Sequence, residues 1–132
     1  MLAAMFGFGG EALTADERAF FRDAEPAGFI LFARNCSNRE QLRRVTDSLR
    51  ELTGRADLPI LIDQEGGRVV RLRPPEWPEF PAARRFAELY RKAPISAIEA
   101  ARLNAQAIAL TLGEVGVNVD CMPVLDVPQP GA

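Results

Sequence analysis

The chain has 132 residues, 48% of them apolar and 26% charged, which places it with folded globular domains and excludes disordered or collagen-like chains. Its net charge is -2, and all but one of the 16 basic residues are Arg, scattered among acidic and apolar neighbours. No nucleic-acid partner is expected from such a pattern, because a nucleic-acid footprint clusters its basic residues.

Met1 to Gly10 lacks the charged head and small-residue cleavage site of a secretory leader. No apolar run approaches the roughly 20 residues that cross a bilayer. A cytoplasmic location and no membrane association are expected.

Four apolar runs read as strands in chain order: Leu2 to Phe6, Phe29 to Phe32, Leu58 to Ile62, and Val117 to Leu125 with polar breaks. Phe29-Ile30-Leu31-Phe32 and Ile60-Leu61-Ile62 do not alternate with polar residues, as suits strands covered on both faces in a parallel sheet. Helices are expected between them. Three Ser/Thr-x-x-Glu patterns, Thr14/Glu17, Ser37/Glu40 and Ser96/Glu99, read as capping boxes. After Ser37 the apolar positions Leu42, Val45, Leu49 and Leu52 share one face, and Gly54 offers a left-handed stop. After Ser96, Ile98, Ala101, Ala105, Ile108 and Leu112 do the same before Gly116. Phe20 and Phe21 are expected in the core of the first helix.

This order, with a long loop ahead of the last helix, predicts an α/β fold of right-handed βαβ units, either a doubly wound sheet or a barrel. A (β/α)₈ barrel takes about 250 residues. Four strands are then roughly its first half, and a chain that stops just past a strand reads as incomplete.

Histidine is absent, which removes the commonest general base and metal ligand and leaves carboxylates, Arg and hydroxyls. Cys36 and Cys121 have no metal-ligand spacing and are expected as reduced, packed thiols.

The segment most informative about function is Asp63-Gln64-Glu65-Gly66-Gly67-Arg68-Val69-Val70-Arg71, where a buried strand runs straight into acids, glycines and arginines. Groups so placed sit at the carboxyl end of a parallel strand, the edge that binds ligands in barrels and open sheets. The loop that follows passes through Pro74, Pro75, Pro78 and Pro81, with helical pattern resuming near Ser96.

Asp63 and Glu65 are two apart and point the same way on an extended backbone, compatible with a pair of glycosidase carboxylates. In the alternative, Glu65 pairs with Arg68 or Arg71 and holds the loop while Asp63 accepts hydrogen bonds from ligand hydroxyls. Trp77, Phe80 and Phe86 read as packing anchors before a sugar-stacking platform, and Arg84-Arg85 and Arg91-Lys92 as a solvated helix face.

The nine residues 63–71 resemble the D-Q-E-G-G-R-V-x-R signature of family 3 glycoside hydrolases. Gly28-Phe29-Ile30-Leu31-Phe32-Ala33-Arg34-Asn35 resembles the G-x-I-L-F-x-R-N segment of their preceding strand, and Pro123-Val124-Leu125-Asp126-Val127 resembles their P-V-L-D-V. The likeness runs from about Ala4 over nearly the whole chain, in family order, and favours the bacterial cytosolic β-N-acetylhexosaminidases.

The resemblance implies a partial (β/α)₈ TIM-type barrel, with residues 1–132 as the N-terminal half of one catalytic domain. It implies retaining hydrolysis of terminal β-N-acetylglucosamine from peptidoglycan fragments, without metal or cofactor, by a monomeric protein whose partner is a small carbohydrate. By position, Asp63 and Arg71 would bind the non-reducing sugar. Arg68 would brace the loop, and Glu65 and Asp126 are further candidates near the site. Arg34 and Asn35 would fix local loop geometry.

The family's Asp nucleophile, its His acid/base and its K-H-F-P-G-like segment have no counterpart here, so no catalytic residue is assigned and the chain alone is expected to be inactive. A family 3 β-glucosidase or other exo-glycosidase, and a catalytically dead carbohydrate-binding or scaffold protein, are the alternatives.

Overall fold

The computed structural model describes residues 1–125. Four strands, β1 (Leu2–Phe6), β2 (Pro26–Leu31), β3 (Ile60–Ile62) and β4 (Val119–Asp120), form one sheet in the order β1-β2-β3-β4, every neighbouring pair parallel. Strands added in strict sequence order, without a reversal, are the pattern of a barrel wall; a doubly wound sheet switches direction partway. The helices are α1 (Ala15–Ala24), α2 (Arg39–Thr53), α3 (Ala83–Tyr90) and α4 (Pro94–Glu114), with a single 3₁₀ turn at Ala33–Asn35.

The unbroken apolar runs are buried as their composition requires. Phe29, Leu31, Ile60 and Ile62 carry no exposed surface, and Leu42, Val45 and Leu49 of α2 close over them in the same core cluster. Phe21 brings α1 into that cluster, with its ring edge-on to Phe29 at 5.0 Å between centroids. Its neighbour Phe20 is 52% exposed, against expectation, and packs only edge-on against Phe6 and Phe21. Successive helical residues are about 100° apart, so one aromatic of such a pair faces the sheet and the other looks outward.

Of the three expected capping boxes, only Thr14/Glu17 forms. The Thr14 hydroxyl accepts the N–H of Glu17, and the Glu17 carboxylate accepts the N–H of Thr14. At α2 the cap is Asn38, which accepts the N–H of Gln41 at 2.8 Å, and Ser37 donates both its N–H and its hydroxyl to Gln41 Oε1. Asn caps as well as Ser, and the Gln41 amide then anchors the chain outside the cap. At α4, Pro94 starts the helix two residues ahead of Ser96, because proline is pre-set for the first helical position. Gly54 closes α2 with φ 67°, as expected.

Two further expectations are corrected. Helical structure resumes well before Ser96: Ala83–Tyr90 is helical and gives Arg84-Arg85 the exposed helix face expected of them, with Arg84 paired to Glu88 one turn on. The face predicted to be buried on α4 is covered only at its C-terminal end. Ile108 and Leu112 join the core, whereas Ile98 is 61% exposed and Ala105 is also exposed. The last turns of α4 lie over the sheet, and its earlier turns pack with α3 instead.

Candidate functional site

The register of the sheet brings three strand ends together. Leu31 is level with Ile62, and Ile62 with Asp120, so Phe32, Asp63 and Cys121 each follow at the carboxyl edge. The N–H of Cys121 donates to the Ile62 carbonyl at 2.8 Å and carries the parallel ladder to that edge.

Asp63 emerges from β3 and takes Arg71 as its partner. Arg71 Nη2 donates to Asp63 Oδ2 at 2.6 Å, and both side chains are 25% exposed. The guanidinium also lies 5.9 Å from the centre of the Phe32 ring, which holds Arg34 on the same ring at 4.6 Å. An aromatic quadrupole favours cations over its face, so Phe32 helps seat both arginines beside the acid.

This pairing corrects the expectation that Glu65 engages Arg68 or Arg71. Among the described residues neither Glu65 nor Arg68 forms an ion pair, and Arg68 is exposed on the turn it was expected to brace. The loop is braced from within. The buried Gln64 side chain accepts the N–H groups of Arg71 (2.9 Å) and Leu72 (3.0 Å) at Oε1 and donates Nε2–H to the Leu72 carbonyl at 3.0 Å. By drawing residues 71–72 back against β3, it delivers the guanidinium to position 63. The excursion between is closed by Glu65 N–H to Val69 carbonyl at 2.9 Å and by Gly67 N–H to Phe80 carbonyl at 3.0 Å.

The turn itself needs glycine. Gly66 and Gly67 have φ of 91° and 60°, and a Cβ at Gly66 would run into the Pro81 carbonyl oxygen. The Pro-rich segment thus lies directly against the signature. Trp77 and Phe80 are buried in the core cluster and Phe86 is half-buried, which matches packing anchors.

β4 ends at Asp120 and does not run on to Leu125 as expected, the strand being only Val119–Asp120; Asp126 lies outside the described residues. Asp120 Oδ1 accepts the Gln64 N–H at 3.0 Å, while Oδ2 is buried without a partner. Burial pushes its carboxyl above the usual aspartate range, and the nearby charges of Asp63 and Glu65 add to this against the opposing Gln64 N–H. The Cys121 thiol is raised for the same first reason, with the Asp63 charge next. Burial takes Cys36 up to about 12. Both cysteines are free, and protonated thiols of this kind are poor nucleophiles.

Asn35 has no exposed surface; it accepts the Phe32 N–H at 2.9 Å and donates to the Gly10 carbonyl at 2.7 Å. It and Arg34, which donates to the Phe8 carbonyl at 2.9 Å, fix the exit of β2 as expected. A cleft of about 320 Å³ opens beside Arg71, lined also by Cys36, Arg73, Glu76 and Trp77. Another, of about 260 Å³, lies at the amino edge near Met1, Glu25 and Pro26, the end of a barrel associated with stability.

Gln64, Phe32 and Asp120 were not singled out from sequence. The one available signal was alternation: a polar residue between Asp63 and Glu65 must face the other way, into the protein.

The glycosyl hydrolase family 3 N-terminal domain matches residues 4–131. The chain belongs to glycoside hydrolase family 3. A β-hexosaminidase of Aromatoleum aromaticum is 38% identical over 122 residues, covering 92% of this chain and 34% of that protein. One from Bordetella avium is 36% identical, with 92% and 35% covered. The chain thus spans about a third of the length of the curated relatives it matches.

The NagZ of Neisseria gonorrhoeae, solved in complex with N-trifluoroacetyl-D-glucosamine, superimposes with a TM-score of 0.86 at 32% identity, over 93% of this chain and 36% of that one. The same protein in complex with zinc ion gives 0.88 at 31% identity, over 95% and 37%. Among the described residues of this chain, no group of three or more His, Cys, Asp or Glu is placed to hold a metal ion. No helix among them is long and apolar enough to cross a membrane.

Proposed function

We propose that this chain supplies the N-terminal half of a single catalytic barrel of a cytoplasmic, monomeric β-N-acetylhexosaminidase. The complete enzyme removes terminal β-N-acetylglucosamine from peptidoglycan fragments with retention of configuration, and Asp63 and Arg71 bind hydroxyls of the non-reducing sugar. Glu65 and Asp126 are further candidates for the same site. The nucleophile and the acid/base are supplied from outside these residues.

The observation that carries this reading is the Asp63–Arg71 pair, 2.6 Å apart and partly open at the carboxyl edge of the sheet. Vicinal sugar hydroxyls each offer a donor and acceptors; a carboxylate accepts the former and a guanidinium donates to the latter. Because the two groups already hold each other, binding pays little to order them. The names of the relatives, and the glucosamine derivative bound to the gonococcal NagZ, support an N-acetylglucosaminide as the substrate.

The test is release of chromophore from a chromogenic N-acetylglucosaminide by the complete enzyme. Asp63→Ala should lower kcat/KM by about 100-fold or more, the loss of a charged hydrogen-bond partner from the transition state. An unaltered kcat/KM in that variant removes Asp63 from the site.

A further inference from the structure

We propose that Gln64 is the positioning residue of the sugar-binding pair: an amide clip that holds the main chain of Arg71 at the distance from Asp63 at which the two side chains present themselves to a ligand. The inference rests on the carbohydrate reading of that pair and adds the group that makes it.

Asp63 and Arg71 are separated by a seven-residue excursion through two left-handed glycines, and such a turn does not by itself set where residue 71 returns. Among the described hydrogen bonds, the Arg71 N–H, the Leu72 N–H and the Leu72 carbonyl are all satisfied by one amide, that of Gln64, 1% exposed. The clip is itself tied down, since the Gln64 N–H donates to Asp120 on β4. The buried Leu72 side chain adds apolar anchorage, but apolar packing is non-directional and does not fix the orientation of the neighbouring guanidinium.

The chemistry demanded at position 64 is narrow. One oxygen must accept two N–H groups while one N–H donates to a carbonyl, which an amide does and a carboxylate does not. A Glu there would set a negative oxygen against the Leu72 carbonyl when ionised. When protonated it would reproduce the amide, with O–H in place of N–H. Burial raises a carboxyl pKa, so the protonated form is reached in mild acid, and Gln64→Glu becomes a clip that pH opens and closes.

The experiment uses the complete enzyme, isotopically labelled, as wild type, Gln64→Glu and the length-matched apolar Gln64→Met. N-acetylglucosamine is titrated at about pH 7.5 and about pH 5, with hydrogen exchange of the Arg71 and Leu72 amides read on the same samples and circular dichroism reporting the fold.

Gln64→Glu should bind about tenfold or more weakly than wild type near neutrality and come within about threefold of it in acid, with amide protection following the same course. Gln64→Met should stay weak at both pH values. Binding by Gln64→Met equal to wild type overturns the proposal, as does a Gln64→Glu deficit that acid leaves unchanged in folded protein. Should Gln64→Glu fail to fold near neutrality, the acid arm and Gln64→Met decide alone. Wild type that ignores the sugar while Gln64→Glu still loses and regains protection at Arg71 would sink the carbohydrate reading and leave the clip standing.

Discussion

The carboxylate of Asp120, on the last strand, accepts the main-chain N–H of Gln64 at 3.0 Å, so two neighbouring strand ends are cross-linked directly behind Asp63. The second oxygen of Asp120 is buried and unpaired, and the group holds its proton to higher pH than the unfolded chain does, first because of burial.

A raised carboxyl means the folded state binds more protons than the unfolded state. The ionised group therefore costs stability above its folded pKa, and the cost is relieved as pH falls from there towards the ordinary aspartate value of 3.8. Asp120→Asn keeps an acceptor for Gln64 and abolishes the charge. It should raise the urea midpoint near neutrality and flatten the pH dependence in the mildly acidic range; a lower midpoint at neutral pH would contradict the assignment.

Glycine at 66 and at 54 shares a left-handed backbone but not a neighbourhood. At Gly54, φ 67°, a Cβ would meet nothing within 4 Å, whereas at Gly66, φ 91°, it would strike the Pro81 carbonyl. Gly54→Ala should cost about 1 kcal/mol for conformation alone. Gly66→Ala should cost about 2 kcal/mol more, because the Pro-rich segment must move. Chemical denaturation of the two variants side by side checks the difference, and equal losses would mean the loop yields freely.

The cap of α1 offers a measure of local structure. Thr14→Ala removes the hydroxyl that accepts the Glu17 N–H at 3.1 Å and should cost about 1 kcal/mol. Glu17 accepts N–H groups from Thr14 and Gly9, in that order of effect, which hold its carboxyl below the usual range. Its contribution is present above the unfolded pKa and is lost as pH falls through the folded value. Glu17 is half-buried at the surface, and solvent screening keeps that part small. Glu17→Gln should therefore lose less than Thr14→Ala, and only above the acid range, in urea midpoints taken across pH.

How far the fold was legible follows the range of the interactions. β1 and the Thr14 cap were read to the residue because their signals lie within a few positions of one another. Ser37 and Ser96 carried the same pattern as Thr14 and lost to their neighbours: Asn38 caps equally well, and Pro94 is pre-set for the first helical position. Helix α3 was read only as a solvated face at Arg84-Arg85, without bounds, because the prolines before it and the capping pattern at Ser96 outweighed its short run of helix-forming residues.

By itself, the order of residues determined that apolar runs would be parallel strands and that acids, glycines and arginines would gather at one edge, since both follow from composition along the chain. Only the tertiary structure decided that Arg71 answers Asp63 and not Glu65, that Phe20 faces outward while Phe21 is buried, and that α4 covers the sheet with its last turns alone. Those outcomes depend on where distant segments return. At the site, that return is set by hydrogen bonds from a buried amide whose partners lie seven and eight residues further along the chain.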